Sequence, residues 1–136
     1  MKTIQILLAV AIASGIFDSC NAQADKNDQS YKVAKPEKVE VFYFHFTRRC
    51  ATCKAVESVS KDAIRELYGE QVGFEEYNLD EASGKAKGGQ LGISGQTLLI
   101  IAGDTKIDIT NEGFMNARSN PEKLKQIIKE KIDPLL

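Results

Sequence analysis

The chain has 136 residues, and its 18 basic and 19 acidic side chains give a formal net charge of −1 at pH 7. This balance offers no electrostatic basis for binding nucleic acid. Once an N-terminal leader is removed, roughly 110 residues remain, which is enough for one modest core. We therefore expect a single small domain that does not bind nucleic acid.

An N-terminal signal for export is predicted. The basic start Met1 to Thr3, the apolar run Ile4 to Phe17 and the small residues of Ala22-Gln23-Ala24 indicate a secretory signal peptide over residues 1–24. The apolar run is shorter than the about 20 residues that a transmembrane helix needs.

Phe17-Asp18-Ser19-Cys20 also resembles a bacterial lipoprotein box, which offers a second processing route. In that route residues 1–19 are removed and Cys20 is lipidated. Both routes predict a bacterial protein exported to the periplasm, and the second holds it to a membrane through the lipid alone. The polar residues 25–38 predict a linker, and residues 39–136 the folded domain.

The predicted elements of the domain begin with a strand, a helix and a second strand. The nearly continuous apolar run Val39 to Phe46 indicates a central strand covered on both faces. Apolar residues at helical spacing predict a helix over Lys54 to Tyr68, which Gly69 would end. Val72 to Leu79 predicts a second strand, and the right-handed crossover rule makes it parallel to the first.

The second half of the domain predicts a variable segment, a hairpin and a final helix. Asp80 to Leu91 contains three glycines and predicts either a short helix or a mobile loop. The runs Thr97 to Ala102 and Lys106 to Thr110 flank a glycine-containing turn and predict an antiparallel hairpin. Ser119-Asn120-Pro121-Glu122 predicts a capping box at the start of a C-terminal helix.

Two cysteines stand between the first strand and the first helix, in the motif Cys50-Ala51-Thr52-Cys53. Cysteines at this spacing can close a small disulfide, and the free N–H groups and dipole of a helix start favour a thiolate at the first sulfur. We expect Cys50 to attack a substrate disulfide and Cys53 to release the product. Three neighbouring cations would add positive charge that favours the thiolate: Arg48, Arg49 and Lys54.

The same two cysteines allow three other interpretations. They could be half of a zinc site, although the chain offers only Cys20, His45 and carboxylates as further ligands. They could form a purely structural disulfide, although so small a loop removes little chain entropy. They could also bind a soft metal or arsenite, since thiolates prefer such ions. We expect no resident metal and no cofactor.

Residues outside the motif have two interpretations each. His45 is the single histidine, and it either assists proton transfer or is a hydrogen-bonded strand residue. Glu57, one helical turn after Cys53, either accepts the proton of that cysteine or is solvated. Phe114 and Met115, in a predicted loop after the hairpin, form either an exposed docking patch or packing under the last helix.

The order of strand, Cys-x-x-Cys helix, strand, variable segment, hairpin and helix resembles the thioredoxin fold over about residues 38–133. The resemblance implies an α/β protein with a mixed sheet of about four strands flanked by helices. It also implies that Cys50 is the nucleophile and Cys53 the resolving cysteine, and that the two form a reversible disulfide. Gln96 stands where that family has a cis-proline. Because a cis bond before a non-proline residue costs about 2.5 to 4 kcal/mol, we expect a trans Gly95–Gln96 bond and a reshaped substrate groove.

Three segments are similar to a narrower bacterial thioredoxin-like family, described as nitrophenyl compound nitroreductase subunit ArsF: Phe44 to Lys54, Ser94 to Leu99 and Asn111 to Arg118. Membership would imply an association with arsenic-resistance or nitro-reduction genes. Nothing in the chain resembles a flavin site, so its part in nitroreduction would be that of an electron donor. Thioredoxins carry tryptophan where this chain has Arg49, so their redox potential is not transferable.

The sequence as a whole predicts an exported thiol-disulfide oxidoreductase or electron-transfer protein. Its partners would be protein thiols and disulfides or a membrane electron donor, and we expect a monomer. Arg49, Glu57, His45 and Gln96 are the candidate supporting residues of the Cys50–Cys53 pair. The alternative is a non-enzymatic module of the same fold, which binds a soft metal or arsenite through its thiols or docks a partner.

Overall fold

The computed structural model describes residues 38–136, and its elements follow the predicted α/β order. They are β1 (Val39–His45), α1 (Ala51–Tyr68), β2 (Val72–Asn78), α2 (Ala82–Leu91), β3 (Thr97–Ala102), β4 (Thr105–Asp108), α3 (Thr110–Asn116) and α4 (Pro121–Ile132). A short 3-10 turn, Asp133–Leu135, follows α4. The predicted signal peptide, the lipidation at Cys20 and, apart from Lys38, the predicted linker lie outside the described residues.

The four described strands form one mixed sheet in the order β2-β1-β3-β4. β1 pairs with β2 in parallel, with Val39 opposite Val72. It pairs with β3 in antiparallel, with Phe44 opposite Thr97, and β3 pairs with β4 in antiparallel. The predicted strand–helix–strand unit and the predicted hairpin are both confirmed. β1 is therefore a central strand, and the chain that leaves it leads directly to the cysteines.

The alternating side chains of β1 enter two separate apolar clusters, which explains its continuous apolar sequence. Val39, Val41 and Tyr43 pack into the larger cluster, together with residues of α1 and α4. Phe42 and Phe44 pack into a smaller cluster on the other face, together with residues that include Leu79 and the partly buried Leu91 of α2. Full burial of each large apolar side chain contributes roughly 1.5 to 3 kcal/mol, so the faces of β1 are a main source of stability.

The segment after β2 forms a helix, and two of its glycines lie against neighbouring backbone. For this segment the sequence predicted either a short helix or a mobile loop. The structure shows a helix, α2, which spans Ala82–Leu91. A Cβ added at Gly84 would lie 1.9 Å from the carbonyl oxygen of Asn78, and one at Gly88 would lie 2.8 Å from that of Ile93. Glycine lowers helix propensity, but here it permits close contacts that a side chain would prevent.

The prediction of a loop after the hairpin is wrong, because residues 110–116 form the short helix α3. Thr110 fixes its start, since the Thr110 hydroxyl accepts a hydrogen bond from the Leu98 backbone N–H at 2.9 Å. Gly113 lies close to Leu98 and Val56, and a Cβ there would come within 3.3 Å of both side chains. A helix of this length is too short for its periodicity to be recognised.

The last helix is confirmed, but its cap lies one residue later than predicted. The Asn120 side chain accepts a hydrogen bond from the Lys123 backbone N–H, and Pro121 is the first helical residue. Ser119 instead donates its hydroxyl to the Met115 carbonyl at the end of α3. None of the helices in residues 38–136 is both long and apolar enough to cross a membrane.

Candidate redox site

The helix that carries the two cysteines begins at the first of them. α1 starts at Ala51, three residues before the predicted Lys54, and Cys50 is its N-cap in an extended conformation. The Cys50 Sγ accepts a hydrogen bond from the Cys53 backbone N–H at 3.2 Å. This contact satisfies one of the N–H groups that a helix start leaves free. The sulfur of Cys50 thus takes the place of the side-chain oxygen in an ordinary cap.

The two thiols differ in exposure although their sulfurs are adjacent. Both cysteines are free, Cys50 is exposed and Cys53 is buried, and their Sγ atoms are 2.6 Å apart. The pKa of the Cys50 thiol is lowered from its ordinary value, first by the hydrogen bond with the Cys53 side chain and then by the Cys53 backbone N–H. The exposed sulfur is therefore the more accessible of the two and ionises more readily than an ordinary cysteine, and the buried sulfur lies within its reach. The disulfide between them stays a prediction.

Gln96 lies beside the buried sulfur, although it is 43 residues away in sequence. The Cys53 thiol donates a hydrogen bond to Gln96 Oε1 at 3.3 Å. Gln96 directly precedes β3, which places it at the end of the sheet where the cysteines lie. The peptide bonds of residues 38–136 are all trans, so the predicted trans Gly95–Gln96 bond is confirmed. A polar side chain faces the dithiol where the resembling family has a proline ring.

Tyr43, which the sequence did not single out, lies under the site. Its side chain is fully buried, and its hydroxyl donates to the Cys53 carbonyl at 3.0 Å. Burial, followed by the nearby Cys53, raises the pKa of Tyr43 to about 12, so the hydroxyl is protonated at neutral pH. Tyr43 thereby fixes the first turn of α1 to β1. The available signal was a hydroxyl among the mostly apolar side chains of β1.

The charge of Arg49 is paired beside the site. Its guanidinium forms an ion pair with Glu57, and the two side chains are only 18% and 19% exposed. The Arg49 Cζ lies 5.9 Å from the centroid of the Tyr43 ring, which is a cation–π distance. The causes of the lowered Cys50 pKa are hydrogen bonds, and the Arg49 charge is not among them. Glu57 therefore partners Arg49, which neither interpretation of this residue foresaw.

The chain before Cys50 is fixed to the end of β2. The Thr47 backbone N–H donates to Asp80 Oδ2 at 2.8 Å, and the Asn78 side-chain amide donates to Thr47 Oγ1 at 3.0 Å. The hydrogen bond from the Thr47 backbone is the first cause that lowers the pKa of Asp80. Since β2 is paired with β1, these contacts hold the loop that leads to Cys50 in a fixed position. Sequence reasoning missed them because β2 and the loop are about 30 residues apart.

The remaining candidate residues differ in their surroundings. His45 is buried at the end of β1, and its Nδ1–H donates to the Phe46 carbonyl at 3.1 Å, as in the interpretation of a hydrogen-bonded strand residue. Phe114 packs against the larger cluster, whereas Met115 is 75% exposed. The two residues suggested for a docking patch therefore do not share one exposed surface.

Solved structures provide the comparison that identifies the fold. Thioredoxin O2 from Arabidopsis thaliana, in its oxidized state, is 22% identical, aligns over 69% of this chain and 75% of its own, and gives a TM-score of 0.51. The chain has a thioredoxin-like fold. Thioredoxin f2 from Chlamydomonas reinhardtii is 24% identical over 75% of this chain and 86% of its own, with a TM-score of 0.49. Neither a protein-family model nor a curated protein matches the chain.

The chemistry that this site can perform follows from its two sulfurs. Among residues 38–136 no group of three or more His, Cys, Asp or Glu side chains is placed to hold a metal ion. The site does supply an exposed thiol at Cys50, whose pKa is lowered, and a second thiol in contact with it at Cys53. These groups suit two successive displacements at sulfur.

Proposed function

We propose that this protein is a thiol-disulfide oxidoreductase in which Cys50 is the nucleophile and Cys53 the resolving thiol. The observation that carries the proposal is the 2.6 Å separation between an exposed sulfur at a helix N-cap and a buried sulfur. The lowered pKa of Cys50 supports the division of roles, because the thiolate is the attacking form.

The reaction consists of two exchanges at sulfur. The Cys50 thiolate attacks a substrate disulfide, so that a Cys50–substrate bond forms, the substrate S–S bond breaks, and one substrate thiolate leaves. Cys53 then loses its proton and attacks Cys50, which forms the Cys50–Cys53 disulfide and releases the second substrate thiolate. The departing thiolates take up protons from solvent. The protein is oxidised by two electrons and the substrate disulfide is reduced, and the reverse sequence oxidises a substrate dithiol.

The cellular setting is part of the proposal. The signal at residues 1–24, or lipidation at Cys20, would place the protein in the bacterial periplasm or on a membrane facing it. Its partners there would be protein thiols and disulfides, or a membrane donor if the pair is kept reduced. The segments that resemble ArsF support an electron-donor role in an arsenic-resistance or nitro-reduction system. We propose that the protein acts as a monomer without a cofactor.

Trapping of the mixed disulfide tests the two roles. All variants use the full chain with Cys20→Ser, so that Cys50 and Cys53 are the only thiols. Cys53→Ser, reduced and then incubated with glutathione disulfide, should retain one glutathione on Cys50, located by peptide mass and removed by dithiothreitol. The parent protein should release it and form its own disulfide. Cys50→Ser is the matched control and should gain much less, because its remaining thiol is buried.

Two results would contradict the proposal: no adduct on the Cys53→Ser protein, or equal adducts on both single variants. A titration of the parent protein against glutathione gives the direction of exchange, since the reduction potentials of known exchange proteins lie between about −270 and −120 mV.

A pair of cysteines that does not form a disulfide would favour the alternative function, which is capture of arsenite or a soft metal by the two thiols. The observation in favour of that alternative is that Gln96 rather than proline faces the sulfurs. Binding of arsenite alone by the reduced protein would identify it.

A further inference from the structure

The buried thiol has one proton and two acceptors for it. The Cys53 Sγ lies 2.6 Å from the Cys50 Sγ and 3.3 Å from Gln96 Oε1. A thiol can donate only one hydrogen bond at a time. When the proton points to Cys50, it stabilises a thiolate there. When it points to Gln96, the Cys50 sulfur loses this donor.

We propose that Gln96 competes with Cys50 for the proton of Cys53, and that this competition sets the fraction of Cys50 present as thiolate. The inference rests on the proposed roles of the two cysteines and adds the residue that regulates them. Gln96 suits this task because its carboxamide is uncharged, so it draws the proton without repelling the neighbouring thiolate.

The same contact acts after the first exchange. Once Cys50 is bonded to a substrate sulfur, it carries no charge and is a weak acceptor, whereas Gln96 Oε1 is unchanged. The Cys53 thiol then donates to Gln96 and stays beside the sulfur that it must attack. Cys53 attacks only after this proton has gone to solvent, and rotation of the carboxamide can then present Nε2–H to the new thiolate. Gln96 can therefore partner Cys53 in both of its protonation states.

Further titratable side chains lie on the elements that carry or flank the cysteines, but they are identical in every variant that changes only Gln96. They are Tyr43 and His45 on β1, Arg48 and Arg49 before α1, Lys54 and Glu57 on α1, and Glu112 on α3. Tyr43 donates to the Cys53 carbonyl, and Arg49 is paired with Glu57. A comparison of Gln96 variants therefore isolates the effect of position 96.

Two substitutions should move the Cys50 thiol in opposite directions. Gln96→Met has nearly the same size and no strong acceptor, so the proton of Cys53 should go to Cys50 and lower the Cys50 pKa. Gln96→Glu adds an anionic acceptor, which should draw that proton away and raise the Cys50 pKa. A change that merely loosened the site would move both variants in the same direction.

The measurement is the rate at which iodoacetamide alkylates Cys50, followed against pH in the reduced full chain with Cys20→Ser and located by peptide mass. At a pH below the Cys50 pKa, Gln96→Met should react about threefold faster than the parent, the effect expected of one redirected hydrogen bond. Gln96→Glu should react about tenfold more slowly, because its charge adds to the lost hydrogen bond. Far-UV circular dichroism checks that each variant is folded.

The double variant with Cys53→Ala is the decisive control, because it removes the shared proton. In that background Gln96→Met should leave the alkylation rate unchanged. The inference is wrong if Gln96→Met slows alkylation or leaves it unchanged when Cys53 is present, or if it has the same effect when Cys53 is absent. Alkylation involves no substrate, so its results are independent of the glutathione trap. If the trap fails but Gln96→Met speeds alkylation, only the exchange reaction is rejected. If the trap succeeds but Gln96→Met has no effect, only the role of Gln96 is rejected.

Discussion

Substitution of Gly84 by alanine should destabilise the protein, although alanine is the better helix former. Gly84 is the third residue of α2, and a Cβ there would lie 1.9 Å from the Asn78 carbonyl oxygen and 3.0 Å from the Leu79 backbone nitrogen. Both neighbours are backbone atoms, so no side-chain rotation relieves the overlap. The same carbonyl accepts the Glu81 backbone N–H at 3.0 Å, and this hydrogen bond should weaken as well.

The size of the effect follows from two opposing contributions. Overpacking of this kind costs about 3 kcal/mol, and the higher helix propensity of alanine offsets about 1 kcal/mol of it. Gly84→Ala should therefore lower the free energy of unfolding by about 2 kcal/mol. Gly89→Ala is the matched control in the same helix, because a Cβ there would meet nothing within 4 Å. It should raise the free energy of unfolding by about 0.5 to 1 kcal/mol.

Urea denaturation of the full-length reduced chain, followed by circular dichroism, measures both variants. A separation of about 3 kcal/mol between them corresponds to denaturation midpoints about 2 M apart. Equal midpoints would refute the argument, because they would mean that α2 does not lie against the end of β2 and that the mobile loop was the better prediction for this segment.

Two further substitutions test the support beneath the cysteines. Tyr43→Phe should cost about 1 kcal/mol through the lost hydrogen bond to the Cys53 carbonyl. The folded-state pKa of Tyr43, about 12, is above its ordinary value of 10.0. The contribution of its hydroxyl to stability should therefore be complete below pH 10 and lost as pH rises towards 12. Urea midpoints that fall with pH as much in Tyr43→Phe as in the parent protein would contradict this. Glu57→Gln should cost about 2 kcal/mol, since it leaves the largely buried Arg49 charge without its partner. The double variant Arg49→Met with Glu57→Gln should recover most of that loss, and equal thermal midpoints of the single and double variants would count against the pairing.

The sequence predicted most reliably the elements whose signals are long and continuous. The apolar run of β1 and the helical spacing after Cys53 span several residues each, so the strand–helix–strand unit could be predicted with its two strands parallel. α2 was ambiguous because glycine has a low helix propensity, and nothing in the local sequence shows that Gly84 must lie against the Asn78 carbonyl. α3 was missed because seven residues carry no recognisable period.

The candidate site shows the same limit. The proximity of Cys50 and Cys53 follows from their spacing, but the contact between Cys53 and Gln96 joins residues 43 positions apart and was suggested only by family resemblance. The positive charge expected of Arg49 is offset by Glu57, eight residues later, a spacing that no helical rule connects. Such pairings depend on how the loop before α1 folds back, which local sequence does not determine.

The capping of α1 by sulfur has a consequence for how the protein responds to its own chemistry. In an ordinary helix the capping oxygen is chemically inert, whereas here the capping atom of Cys50 is also the atom proposed to form and break bonds. A thiolate is a stronger acceptor for the Cys53 backbone N–H than a sulfur within a disulfide, so this capping hydrogen bond is strongest when Cys50 is a thiolate. By thermodynamic linkage, whatever strengthens this hydrogen bond also favours the reduced state, and whatever weakens it favours oxidation. In the proposed reaction the start of the helix is part of the redox couple, and a partner that binds the first turn of α1 would then change the reduction potential without touching either sulfur.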